Sequence, residues 1–75
     1  MTGEMAVMDR SGDLKVMWDS DKEDEVDAAR SQFDALLKKG YAAFKVDKKG
    51  GQGEQIKKFD PTAEKLIMVP ALAGG

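Results

Sequence analysis

Seventy-five residues make one small domain, and 41% hydrophobic with 35% charged residues is the balance of a folded globule, not of a disordered chain. Cysteine and histidine are absent, which excludes disulfide staples and the usual zinc sites and leaves the core to stabilise the fold alone. A net charge of -2 gives no basic face for nucleic acid, and no apolar run approaches the length of a membrane span.

The chain opens with "MTGEMAVMDR", which carries an early acidic residue and no long apolar centre, so it does not read as a signal peptide. A cytoplasmic protein is expected. Met5 to Met8 is a short apolar run. Asp9 to Asp13, "DRSGD", is a cluster of turn residues in which Gly12 is able to take positive φ. In "LKVMW", Leu14, Val16 and Trp18 share one face at period two, with Lys15 and Met17 on the other. Two runs around a turn predict a β-hairpin.

Ser20 to Gly40 carries helical periodicity. Val26, Ala29, Phe33, Leu36 and Leu37 fall on one face, and Asp27, Arg30, Ser31, Asp34 and Lys38 on the other. Ser20 with Glu23 matches a capping box, the acidic residues from Asp21 to Glu25 suit the helix start, and Lys38 and Lys39 suit its end. Gly40 supplies a left-handed cap. The spacing predicts a helix from Asp21 to Lys39.

Tyr41 to Asp47 alternates as a strand. Lys48 to Glu54 is a glycine-rich loop, and Gln55 to Phe59 is a second strand whose alternation slips between Lys57 and Lys58. Asp60 to Glu64, "DPTAE", is a turn. "KLIMV", Lys65 to Val69, is apolar at every position after the lysine, which suits a central strand covered on both faces. Pro70 is expected to stop regular pairing. The expected fold is α+β, in the order β-β-α-β-β-β, with a mixed sheet packed on one amphipathic helix. The helical face with Trp18, Phe44 and Met68 makes the expected core. This is a β-grasp-like (ubiquitin-like) layout, with residues 1–70 as the single domain and 71–75 as a flexible tail.

Chemistry within the chain is sparse. Without His or Cys no nucleophile–base pair of the common kind exists, so the protein is not expected to be an enzyme. The acidic run Asp19 to Asp27 lacks the glycine and the bidentate glutamate of a calcium loop and reads as a helix start. Lys48 to Gly53 has its lysines before the glycines and a strand after them, so it does not read as a phosphate loop. Trp18, Met17 and the other methionines fit a core, or an adaptable binding surface.

The ending "PALAGG", Pro70 to Gly75, is different. Leu72 offers one apolar handle, while Gly74 and Gly75 have no side chains and are able to thread a narrow channel in an extended form. The blander alternative is a frayed, glycine-rich terminus. The segment "IMVPALAGG", Ile67 to Gly75, resembles the ending of the ubiquitin-like β-grasp sulfur carriers, a family that includes the small subunit of molybdopterin synthase and the thiazole-synthesis carrier protein. The resemblance implies that the Gly75 carboxylate is adenylated by a partner activating enzyme using ATP and converted to a thiocarboxylate. It implies Gly74 as the residue that gives access, and Ala73 and Leu72 as tail contacts. It implies no cofactor or metal on the chain itself. The implied partners are the activating enzyme and a sulfur-accepting synthase, with no nucleic acid or membrane, and the carrier itself is a monomer. Two other readings stay open: a ubiquitin-like modifier conjugated through Gly75, and a non-conjugated interaction module such as a phage or mobile-element accessory protein.

Overall fold

The computed structural model describes residues 1–9, 12–47 and 53–70. The loop glycines Gly50 and Gly51 and the tail residues Leu72, Ala73, Gly74 and Gly75 lie outside the described residues. Strand β1 spans Thr2–Asp9 and pairs antiparallel with β2, Gly12–Asp19. Helix α1 spans Glu23–Lys38. Strands β3 (Tyr41–Val46), β4 (Glu54–Ile56) and β5 (Lys65–Pro70) follow. One mixed sheet results, in the order β2-β1-β5-β3-β4, with β5 parallel to β1 and antiparallel to β3. The α+β class and the expected element order are what the structure has, and the arrangement is compatible with a β-grasp-like layout.

Side chains alternate across each strand, so the register sorts them into two faces. Gly3, Met5 and Val7 on β1 stand in register with Trp18, Val16 and Leu14 on β2. Leu66 and Met68 on β5 share that face with Ala43 on β3. The helix lays Val26, Ala29 and Phe33 against them, and the buried core gathers there. Leu36 and Leu37 are only partly buried. Phe44, expected in the core, stands instead on the opposite face in register with Ile67, and Ala43 takes the core position. The small side chain of Ala43 lies under the helix layer, where a phenyl ring would crowd it.

Several boundaries differ from the sequence reading. Strand β1 begins at Thr2 rather than Met5 because it lies between two neighbours that hydrogen-bond even its polar residues. The capping box does not form. The residue preceding the helix is Lys22, with no side-chain cap, after a turn in which Lys22 N–H donates to Asp19 O at 2.9 Å. Ser20 Oγ donates instead to Met1 O at 3.0 Å, and Glu25 Oε1 accepts the Asp19 N–H at 2.9 Å. Gly40 takes φ 98, as its expected left-handed role requires. Strand β4 ends after three residues, at the slip in its alternation. Phe59 then leaves the sheet and packs edge-on to Trp18 (5.0 Å between ring centroids) and Phe33 (5.7 Å). Buried Trp18 donates its Nε1–H to Pro61 O at 3.0 Å, so the one polar atom of the largest core side chain is satisfied.

Candidate functional site

Strand β5 positions whatever follows it. Its expected central place is the observed one, flanked by β1 and β3. The expected cover on both faces is not. Leu66 and Met68 are buried under the helix, while Ile67 and Val69 are only half-buried on a face that no other element crosses among the described residues. Pairing also continues through Pro70, which stands opposite Tyr41, where a stop was expected. Proline is tolerated at a strand's final position, since only its missing N–H is lost from the ladder.

The face away from the helix is apolar along its middle. One row runs Lys15, Ala6, Ile67, Phe44 and Gln55 from edge to edge, and the next contains Val69 beside Ala42. Met8 and Met17 lie on this face with 38% and 59% of their surfaces exposed. The five methionines therefore divide: Met5 and Met68 are core, while Met8, Met17 and Met1 are exposed. The core reading of the methionines holds for Met5 and Met68, and Met8 and Met17 are left exposed on the open face. Charge sits beside the apolar strip, where Lys15 Nζ lies 3.6 Å from Glu4 Oε2 and Lys65 is half-buried. Sequence reasoning missed this surface. Its signal was present in Ala6, Met8, Ala42, Phe44, Ile67 and Val69, apolar residues at period two on the strand positions opposite the core.

The turn before β5 is held by Asp60. Its Oδ2 accepts from Lys45 Nζ at 2.8 Å, and its Oδ1 accepts the Thr62 N–H at 2.9 Å and the Thr62 hydroxyl at 2.6 Å. The Lys45 hydrogen bond, with those from Thr62, holds the Asp60 carboxyl down at about 2, and Asp60 in turn raises Lys45. This arrangement ties β3 to the segment that launches β5. Asp19 is also held below the usual carboxylate range, first by the Asp21 N–H. The N-terminal ammonium lies 3.7 Å from Asp19 and 3.6 Å from Asp21. The acidic run thus serves the chain start and the helix start. No group of three acidic side chains converges on one point among the described residues.

The residues assigned to the chemistry, Gly75 and Gly74 with Ala73 and Leu72, lie outside the described residues. What the structure places is the strand leading to them and the apolar face beside it. Comparison with protein families, curated proteins and solved structures gives no match to this chain.

Proposed function

We propose that this chain is a β-grasp sulfur carrier whose Gly75 carboxylate is activated by a partner enzyme. The observation that supports this reading most is the place of β5: a central strand that ends at Pro70, five residues before Gly75. A carrier needs its reacting carboxylate on a thin tether anchored to a strand held on both sides, as β5 is. Here the tether is "ALAGG", with no charged or bulky polar side chain to obstruct a channel. The carboxylate attacks the α-phosphate of ATP, pyrophosphate leaves, and the C-terminus becomes an acyl-adenylate. A sulfur nucleophile delivered by the partner then displaces AMP, which leaves the acyl group bonded to sulfur. The chain contributes no acid, base or metal to either step.

The apolar strip around Ile67, Val69, Phe44 and Met17 gives the activating enzyme a surface to grip next to the tether. Methionine side chains suit such a role because they adapt to a partner's shape.

The test is the intact mass of the untagged protein from its own host after treatment with a thiol-specific alkylating reagent. The chain has no cysteine, so a single adduct located at Gly75 reports a thiocarboxylate. An unmodified chain, with no conjugates carrying its C-terminus, overturns the reading and leaves the interaction module. High-mass conjugates linked through Gly75 identify the modifier instead.

A further inference from the structure

The two edges of the sheet differ. Strand β4 is three residues long, too short to template much pairing, but β2 runs for eight residues along the other edge. The direction of its free backbone groups follows from one contact. Asp19 donates its N–H to Glu25 Oε1 and accepts the Lys22 N–H on its carbonyl, so both groups face away from β1. In an antiparallel pair alternate residues aim their N–H and C=O to the same side. The register to β1 is unbroken from Gly12 to Asp19, so Met17, Lys15 and Asp13 also aim their backbone groups outward. At Asp19 the helix start uses those groups. At Asp13 and Lys15 no strand pairs with them among the described residues.

We infer that a second copy of this chain pairs with this edge, β2 against β2 and antiparallel, about a two-fold axis at Leu14. Three observations select this occupant and this register. Asp13 of each copy falls opposite Lys15 of the other on the same face, so two opposite-charge pairs form from an edge that carries both signs. Asp13 and Lys15 are the residues with outward backbone groups, so the same two positions exchange the ladder hydrogen bonds. Leu14, 54% exposed in the single chain, meets its own symmetry mate on the helix side. There a shallow, mixed groove of about 370 Å³ sets Leu36 and Tyr41 beside Gln32 and Lys39, and its apolar part is within reach of the paired leucines. Shifting the register places Lys15 against Lys15, or Asp13 against Asp19, whose backbone is already committed to the helix. The charges thus permit one register and oppose its neighbours. The resemblance to sulfur carriers implies a monomer, and the edge chemistry predicts a weak, isologous dimer.

Sedimentation equilibrium of the full chain as a function of concentration tests this. The parent should self-associate as a dimer. Asp13→Lys sets like charges opposite each other twice and should weaken the dimer about tenfold or more. The exchange Asp13→Lys with Lys15→Glu, made together with Glu4→Gln because Glu4 lies 3.6 Å from Lys15 in the single chain, restores opposite charges and should recover affinity to within a few-fold of the parent. Leu14→Asp, at a site already exposed, should abolish pairing while circular dichroism shows the fold intact. A parent that stays monomeric up to about 1 mM overturns the inference. So does a dimer indifferent to these variants, which would lie on another face.

Discussion

Adding one methyl group at Gly3 should loosen the core at its largest side chain. Gly3 stands in register with Trp18 on the helix side of the sheet. A Cβ built there collides with Cζ2 of the Trp18 indole and comes within 2.6 Å of both Trp18 Cε2 and the Ala63 carbonyl oxygen. None of these is the free end of a flexible side chain. The indole is wedged against Phe59 and hydrogen-bonded to Pro61, and the Ala63 oxygen is backbone. Overpacking of this kind costs about 1–3 kcal/mol. If the indole retreats, loss of its hydrogen bond to Pro61 adds about 1 kcal/mol. The better strand propensity of alanine returns roughly 0.5–1 kcal/mol. The net loss for Gly3→Ala is therefore about 2 kcal/mol, against a total of about 4–11 kcal/mol for a chain of this size. Such a loss lowers Tm by about 8–16 °C. Trp18 is the single tryptophan, so urea unfolding followed by its fluorescence reads the core directly. Thr2→Ala, at an exposed neighbouring position, serves as the control. In a Trp18→Phe background, where the second ring is gone and urea unfolding is followed by far-UV circular dichroism instead, the cost of Gly3→Ala should shrink. An unchanged urea midpoint for Gly3→Ala would refute the packing argument, and an undiminished cost in the Trp18→Phe background would refute the assignment to the indole.

Three further outcomes follow from contacts elsewhere in the domain. Asp60 has a folded pKa of about 2, below its ordinary value, so its contribution is present above about pH 4 and disappears as pH falls from there toward 2; the urea midpoint of Asp60→Asn should therefore fall less steeply over that window than the parent's. Ser20→Ala should leave the helix nearly unchanged because Ser20 does not cap it, whereas Glu25→Ala frees the Asp19 N–H and should cost about 0.5–1.5 kcal/mol, read by thermal circular dichroism. Met17→Asp, at an exposed position on the open face, should shift Tm by no more than a few degrees, and under the proposed function it should reduce activation by the adenylating enzyme about tenfold in kcat/KM, measured by pyrophosphate release.

What the sequence conveyed depended on the range of the interaction. The helix was legible because its signal lies within the segment: Val26, Ala29 and Phe33 repeat at helical spacing, and the first turn is acidic. Its cap was not, since Ser20 and Glu23 matched the capping pattern while the real partners of Ser20 and Glu25 lie at Met1 and Asp19. The phase of β3 was misjudged for a related reason. Size favoured Phe44 over Ala43 for the core, but helix-to-sheet spacing decides that position, and spacing is a property of two elements at once. The slip between Lys57 and Lys58 was visible as a break in alternation, one residue past the observed end of β4 at Ile56, and only the structure reveals Phe59 as its beneficiary. The tail was singled out from its residues alone and lies outside the described residues, whereas the apolar face beside β5 emerged once register had sorted the strands into two sides. Gly3 gave no hint in the sequence, since its requirement arises from a ring fifteen residues away.

The sheet order has a consequence in time as well as in space. Without β5 the other four strands form two separate pairs, β1 with β2 and β3 with β4, and among the described residues no strand pairing joins one to the other. Strand β5 supplies the ladder between them, and helix α1 packs on β2 and β3 from one side. Residues through β5 must therefore be available before the five-stranded sheet exists, and the closing contacts join residues about sixty positions apart, the kind of pairing that slows folding. A chain truncated at Ala63 should behave as an unfolded polypeptide in hydrogen exchange. An incomplete chain then presents neither a sheet nor a tail. Within this order of assembly, the segment that closes the domain is the one that leads directly to its terminal glycines.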